Sequence, residues 1–389
     1  MLRTLAEAIG LFQETLARHP ERDALAAEGA ACAGAPRPYP CLYIGHLHDP
    51  ADKTESPPHF VLPEHGFPDT PEGRLAREIV GLLCPLDLLN PVAAVLSPGG
   101  HGSPADLIPC FGLPLSEDGG ASGCTRPLDA LLAQPPPDPD SAGAMPVFRE
   151  RIARIKELTP PSFRINLPDM QGPFNLVHAM AGDEAFTAPL VEPEKFHAFM
   201  ARVTDFWIAA AERLRAWIGP ERLRPLDRWV RICECSVNLV SEGFYREHIL
   251  PHDLRIARHF GSVRIHPCSG RHVFRATLSQ LPNVLATEAG LMLAPMAAPC
   301  VSVPEALDQI NARPIVLSIG QEFPADFGAA SDLIRSDLAL ARSNPRLLFG
   351  YTGMYWRKAD RPRIRDLHRR LDDLWDLGAP RRNWAPAGN

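Results

Sequence analysis

The stretch Arg264-Ile265-His266-Pro267-Cys268-Ser269-Gly270 sets an imidazole and a thiol two residues apart, where a short apolar run passes into a glycine-containing loop. Residues i and i+2 of an extended segment share a face, so both groups can reach one ion. Zinc accepts this pair, at about 2.0–2.1 Å to nitrogen and about 2.3 Å to sulfur. Glu288 closes the next short apolar run, and adjacent strands lie about 4.8 Å apart, so its carboxylate is a third candidate ligand. Three protein ligands with a vacant position is the pattern of catalytic zinc. Zinc so held binds a thiol and lowers its pKa, and the thiolate can then attack an electrophilic methyl group. The competing reading is a hydrogen-bonded His266–Cys268 pair packed in the core without metal.

Other chemistry-bearing residues stand at the ends of apolar runs. Glu234, in Cys233-Glu234-Cys235, is costly to bury without a partner and is a candidate general acid/base. Cys233 and Cys235 fall on the face opposite to it and read as core packing. His46, with His48, and Tyr351 close two further runs and join Glu234 as candidate catalytic residues. Ser269 and Gly270, ahead of the helical pattern from Arg271, offer backbone N–H groups to an anion or cofactor. Gly99-Gly100-His101-Gly102 lacks the lysine of a nucleotide-binding phosphate loop.

Positioning these groups needs strands. Short β-branched runs bounded by Gly or Pro occur at Cys41–Gly45, Val92–Leu96, Phe163–Leu167, Trp229–Cys235, Val263–His266, Val284–Glu288, Pro314–Ile319 and Leu347–Gly350. Buried parallel strands have this character. Helical periodicity fills the gaps: Pro193–Ile218 repeats Phe196, Phe199, Met200, Val203, Phe206 and Trp207, and Ser241–Phe260, Val303–Ile310, Ala329–Ala341 and Arg361–Leu377 follow suit. Eight strands alternating with helices predict an α/β protein, a (β/α)₈ TIM barrel whose chemistry sits at the C-terminal strand ends. The barrel spans 41–378, after an N-terminal helix and connection over 1–40 and before a tail over 379–389. Ala24–Pro40 reads as a loose connection, and the prolines, 42 in all, as stiffened loops.

The chain has 389 residues, 45% hydrophobic, with net charge −6, which gives no field to draw nucleic acid or anionic lipid. No run approaches the roughly 18 apolar residues of a membrane span. Nine scattered cysteines and no visible signal peptide point to a reducing cytoplasm with thiols free to bind metal.

Three stretches resemble the uroporphyrinogen decarboxylase superfamily. Asp169-Met170-Gln171-Gly172-Pro173-Phe174-Asn175 resembles its Gly-Pro loop, and Gln171 is thereby a candidate cofactor-contacting residue. Glu192-Pro193-Glu194-Lys195-Phe196 resembles the start of its next helix. Ser241 to Pro251 followed by His266-Pro267-Cys268-Ser269-Gly270 resembles its helix-then-strand signature. The resemblance implies a (β/α)₈ barrel. The decarboxylases' arginine-rich loop after the first strand is replaced here by Gly45-His46-Leu47-His48-Asp49. The cobamide-dependent methyltransferase branch carries His-x-Cys with a later acid, which His266, Cys268 and Glu288 match. Its later Gly-Cys-Gly has no counterpart in Phe349-Gly350-Tyr351-Thr352-Gly353-Met354. The resemblance implies a zinc-dependent methyltransferase moving a methyl group between a corrinoid and a thiol or similar nucleophile. The corrinoid would arrive on a partner protein, since no Asp-x-His-x-x-Gly stretch is present. The alternatives are a metal-free decarboxylase or lyase acting on a carboxylated small molecule or tetrapyrrole, and a non-catalytic corrinoid or tetrapyrrole binder.

Overall fold

The computed structural model describes residues 4–18, 23–33, 42–48, 66–83, 93–98, 107–114, 125–266, 284–290, 316–322 and 347–356, with single positions at 308, 332, 335, 336 and 339. For 42–48, 284–290, 316–322 and 347–356 only the backbone is described. The chain divides into two compact units: 1–94 with 293–295 and 318–389, and 95–292 with 296–317.

In the first unit, helix α1 (Leu5–Arg18) buries Ala8 and Phe12 and packs on α3 (Pro71–Gly81). Helix α2 (Ala24–Ala33) corrects the expected loose connection. Six of its ten residues are alanine, the residue of highest helix propensity, and Asp23 Oδ1 caps it by accepting from the N–H groups of Leu25 and Ala26 at 3.0 and 3.2 Å. Alanine gives no apolar period, so the helix left no pattern to read. Thr70 caps α3 by accepting from Gly73 N–H at 3.1 Å. Strands β1 (Leu42–His48) and β8 (Leu347–Trp356) pair in parallel, with Ile44 opposite Tyr351 and a register shift before His46.

The second unit carries β2 (Val95–Leu96), β3 (Arg164–Ile165), β4 (Val230–Cys233), β5 (Val263–His266) and β6 (Val284–Gly290). Strands β4, β5 and β6 run parallel side by side, as do β2 and β3. The outer edge of β3 exchanges backbone bonds with 222–224: Ile165 N–H donates to Arg222 O at 2.7 Å, and Arg224 N–H to Ile165 O at 3.1 Å. The remaining strand, β7, spans Val316–Glu322. All eight strands thus fall where the apolar runs predict them, and the pairings are parallel, as the α/β class requires. Within the second unit, β2–β3 and β4–β5–β6 are two separate hydrogen-bonded sheets rather than one closed ring.

Helix α8 (Pro193–Ile218) is the spine of this unit. Phe196, Phe199, Met200, Val203, Phe206 and Trp207 are all buried, which confirms the periodicity. Around it pack α4 (Leu128–Leu132), α5 (Met145–Leu158), α6 (Pro173–Ala181), α7 (Glu184–Val191) and α10 (Leu250–Phe260). The predicted helix over 241–260 is three pieces: α9 (Glu242–Phe244), capped by Ser241 Oγ, a π-helical turn at Tyr245–Ile249, and α10. The predicted helices over 303–310, 329–341 and 361–377 lie wholly or largely outside the described residues.

Candidate functional site

Strand β4 ends at Cys233, so the alternation predicted through Cys235 stops there. Cys235 instead opens a 3₁₀ turn (Cys235–Leu239). Cys233 is buried, while Cys235 is disulfide-bonded. For Cys235 this corrects the expectation of free thiols.

Between the two cysteines, Glu234 is 2% exposed. Its N–H donates to His266 O at 3.1 Å, which ties the ends of β4 and β5 together. Its carboxyl points at the N-terminus of α6: Oε1 accepts from Phe174 N–H and Oε2 from Asn175 N–H, each at 3.2 Å. Orphan amides and the helix dipole favour an anion there. Gly172 allows the approach, because a Cβ at that position would overlap the Glu234 carboxyl and Cys233 O. The preceding Gln171 takes φ 52°, a left-handed conformation uncommon outside glycine. Trp207 Nε1–H donates to Gln171 O at 2.6 Å.

Asn175 locks this loop to β4. Its Nδ2 donates to Gln171 Oε1 at 2.5 Å and to Cys233 O at 2.8 Å, and its Oδ1 accepts from Ser236 N–H at 2.7 Å. Gln171 is therefore buried and bonded within the protein, and the resemblance quoted Asn175 without assigning it this role. One turn on, His178 Nδ1 lies 2.8 Å from Ser236 Oγ, and burial lowers the imidazole's pKa.

Two more residues that the sequence did not single out complete the cluster. The Asp253 carboxyl stands beside Glu234, and Tyr245 O–H donates to Asp253 Oδ2 at 2.8 Å. Burial raises the Glu234 pKa well above the usual carboxylate range, and the charge of Asp253 adds to this, against the pull of the α6 amides. Burial also pushes Asp253 up to about 7, opposed by its bonds to Tyr245 and Glu234. Two carboxyls side by side in a dry site each disfavour the other's ionisation.

His266 closes β5 and is half-buried. The β5–β6 register sets Ile265 opposite Thr287, so His266 and Glu288 occupy the next level on neighbouring strands. Cys268, Ser269 and Gly270 lie outside the described residues, and Glu288 is described in its backbone alone. Among the described residues no group of three or more His, Cys, Asp and Glu side chains is arranged to hold a metal ion. Tyr351 and His46 belong to the first unit, on the paired strands β8 and β1, with Tyr351 opposite Ile44.

No family model and no curated protein matches the sequence. Among solved structures, a methyltransferase from Methanosarcina mazei superposes with TM-score 0.59 at 13% identity, covering 91% of this chain and 99% of that one. The two chains share a fold. No helix among the described residues is long and apolar enough to cross a membrane.

Proposed function

We propose that this protein is a methyltransferase of the uroporphyrinogen decarboxylase superfamily, built on its (β/α)₈ barrel. It would transfer a methyl group between a corrinoid on a partner protein and a thiol or similar nucleophile. The observation carrying this reading is the β4–β5–β6 register. It brings Glu234, His266 and Glu288 to one end of three adjacent parallel strands, the end where such folds do chemistry. The fold shared with a methyltransferase supports it.

His266, Cys268 and Glu288 would hold zinc; when bound, it supplies Lewis-acid activation of the thiol. The protein's own residues set the rest of the site. Glu234, beside the ligand strand and next to Asp253, would donate to or accept from the substrate. Asn175 and Gly172 fix the α6 N-terminus against that carboxyl, so its position does not depend on substrate. Ser269 and Gly270 remain candidate anion contacts.

The test is metal content and turnover together. Untagged protein prepared with zinc should contain close to one zinc per chain, and His266→Ala, Cys268→Ser and Glu288→Gln should each lose most of it. Methyl transfer from methylcobalamin to a small thiol, read by the cobamide absorbance, should fall at least a hundredfold in Cys268→Ser. Full turnover of a carboxylated substrate by Cys268→Ser would instead establish the metal-free lyase alternative.

A further inference from the structure

Three imidazoles meet where α8, the π-helical turn and α10 pack together: His197 on α8, His248 in the turn and His252 on α10. His248 and His252 are buried. Their ring nitrogens form one series. Thr204 Oγ1 lies 3.4 Å from His252 Nδ1, His252 Nε2 lies 3.4 Å from His197 Nδ1, and His197 Nε2 lies 3.5 Å from His248 Nδ1. The last nitrogen, His248 Nε2, is 3.9 Å from Oε2 of Glu247, an exposed carboxylate. Phe196 and Phe244 pack edge-on against the His248 ring. Arg255 on α10 also faces the series, and it pairs with Asp205 of α8.

A neutral imidazole has one N–H and one acceptor nitrogen, so one fixed proton orders the whole series. Thr204 fixes it. Its hydroxyl donates to Met200 O at 2.7 Å, the shorter of its two contacts, which leaves the oxygen to accept from His252 Nδ1–H. His252 Nε2 then accepts from His197 Nδ1–H, and His197 Nε2 from His248 Nδ1–H. His248 Nε2 is left with a lone pair beside Glu247. One added proton fits there without loss of a contact, because it pairs with the carboxylate. A second must enter His197 or His252, where it sets N–H against N–H. Burial opposes it as well, and is the first cause of the lowered pKa of His197 and of His252, the latter lowered to about 4.

We infer that His248, His197 and His252 form a proton-ordered clasp that fastens the π-helical turn and α10 to α8, takes one proton at its His248 end and opens on a second. Tyr245 and Asp253 stand on the fastened segments, so opening loosens the carboxyl pair at Glu234.

Histidine-selective ¹⁵N NMR of the full chain reads this order directly, because donor and acceptor ring nitrogens resonate apart. Above the ordinary histidine value near 6.5, all three rings should carry their proton on Nδ1. His259, whose Nε2 lies 2.8 Å from Glu212 Oε1, should carry it on Nε2 in the same spectrum. On acidification His248 should become doubly protonated before His197 and His252. Thr204→Val removes the hydroxyl that sets the direction, so the three protons should move to Nε2 and His248 should donate to Glu247. The Trp207 indole, edge-on to Phe260 of α10 at 6.3 Å, reports the clasp itself. Its resonance should hold through the first protonation and shift with the second, while those of α5 stay in place. Nε2 protons on the three parent rings, an unchanged order in folded Thr204→Val, or protonation of His252 before His248 overturns the clasp. So does a Trp207 signal that ignores the second proton, or unfolding of the whole chain in that step.

Discussion

Glu234 sits under opposing demands. Burial and the Asp253 charge favour its neutral form, while two α6 amides favour the anion. The balance depends on how closely the Gln171–Gly172 turn presses helix α6 against β4. Adding one carbon at Gly172 would drive a methyl group into the Glu234 carboxyl and against Cys233 O. Gly172→Ala should therefore cost about 1–3 kcal/mol, as overpacking does, read as a lower midpoint in urea denaturation. Part of that cost comes from the Glu234 side chain itself. Combined with Glu234→Ala, the substitution should cost less than alone, with a coupling of at least about 0.5 kcal/mol. Strict additivity would show that the turn does not bear on the carboxyl. The proposed acid/base role makes a separate demand: a residue that moves protons is worth about 10²–10⁴ in rate, so on that proposal Glu234→Gln should lose that much turnover even where it folds.

At the scale of elements, the π-helical turn at Tyr245–Ile249 does the positioning. Tyr245 and Asp253 are eight residues apart, and a regular helix of 3.6 residues per turn would leave them about 80° apart around its axis. The wider turn changes that phase and lets the buried hydroxyl donate to Asp253. Tyr245→Phe removes the donor and leaves a buried carboxylate oxygen short of a bond. It should cost about 1–3 kcal/mol, measured by chemical denaturation, and should raise the Asp253 pKa further, followed by carboxyl NMR. The turn also marks the limit of what sequence could convey. Strands β1 to β8 and helix α8 were legible because burial on two faces, or on one stripe, imposes a repeating apolar pattern. Helix α2 was not, because alanine helices carry no such pattern. The Tyr245–Asp253 contact was not, because a π turn breaks the period used to find neighbours. Glu234 was legible as a strand-end acid, but its partners Asn175 and Asp253 come from distant segments whose approach only the folded chain reveals. Gln171 drew notice through its loop and turns out to be spent on Asn175 and Trp207.

Among the described residues, two buried ionisable groups pull the response of stability to pH in opposite directions. On helix α10, His252 is 8% exposed, 3.4 Å from His197 Nδ1 and 3.4 Å from Thr204 Oγ1. Burial first, then the neighbouring His197 and Arg255, lowers its pKa to about 4. Between about pH 4 and the ordinary histidine value near 6.5, the unfolded chain binds the proton that the folded chain refuses. This group therefore makes stability rise with pH in that window. Asp253 faces Tyr245 and Glu234, and its pKa is raised to about 7. From the ordinary aspartate value near 3.9 up to about 7 the folded chain holds a proton that the unfolded chain has lost, so this group makes stability fall with pH. The parent's stability should consequently change little between pH 4.5 and 6.5 on account of this pair, because the two slopes oppose each other. Removing either group should expose the other. Relative to the parent, Asp253→Asn should tilt toward greater stability as pH rises across that interval, and His252→Gln toward lower stability, each by up to about 3 kcal/mol across those two units. Thermal melts of the three proteins at half-unit pH steps decide the matter. If both variants tilt the same way as the parent, the buried pair does not govern the acid response, and the proton assigned to the carboxyls beside Glu234 must be placed elsewhere.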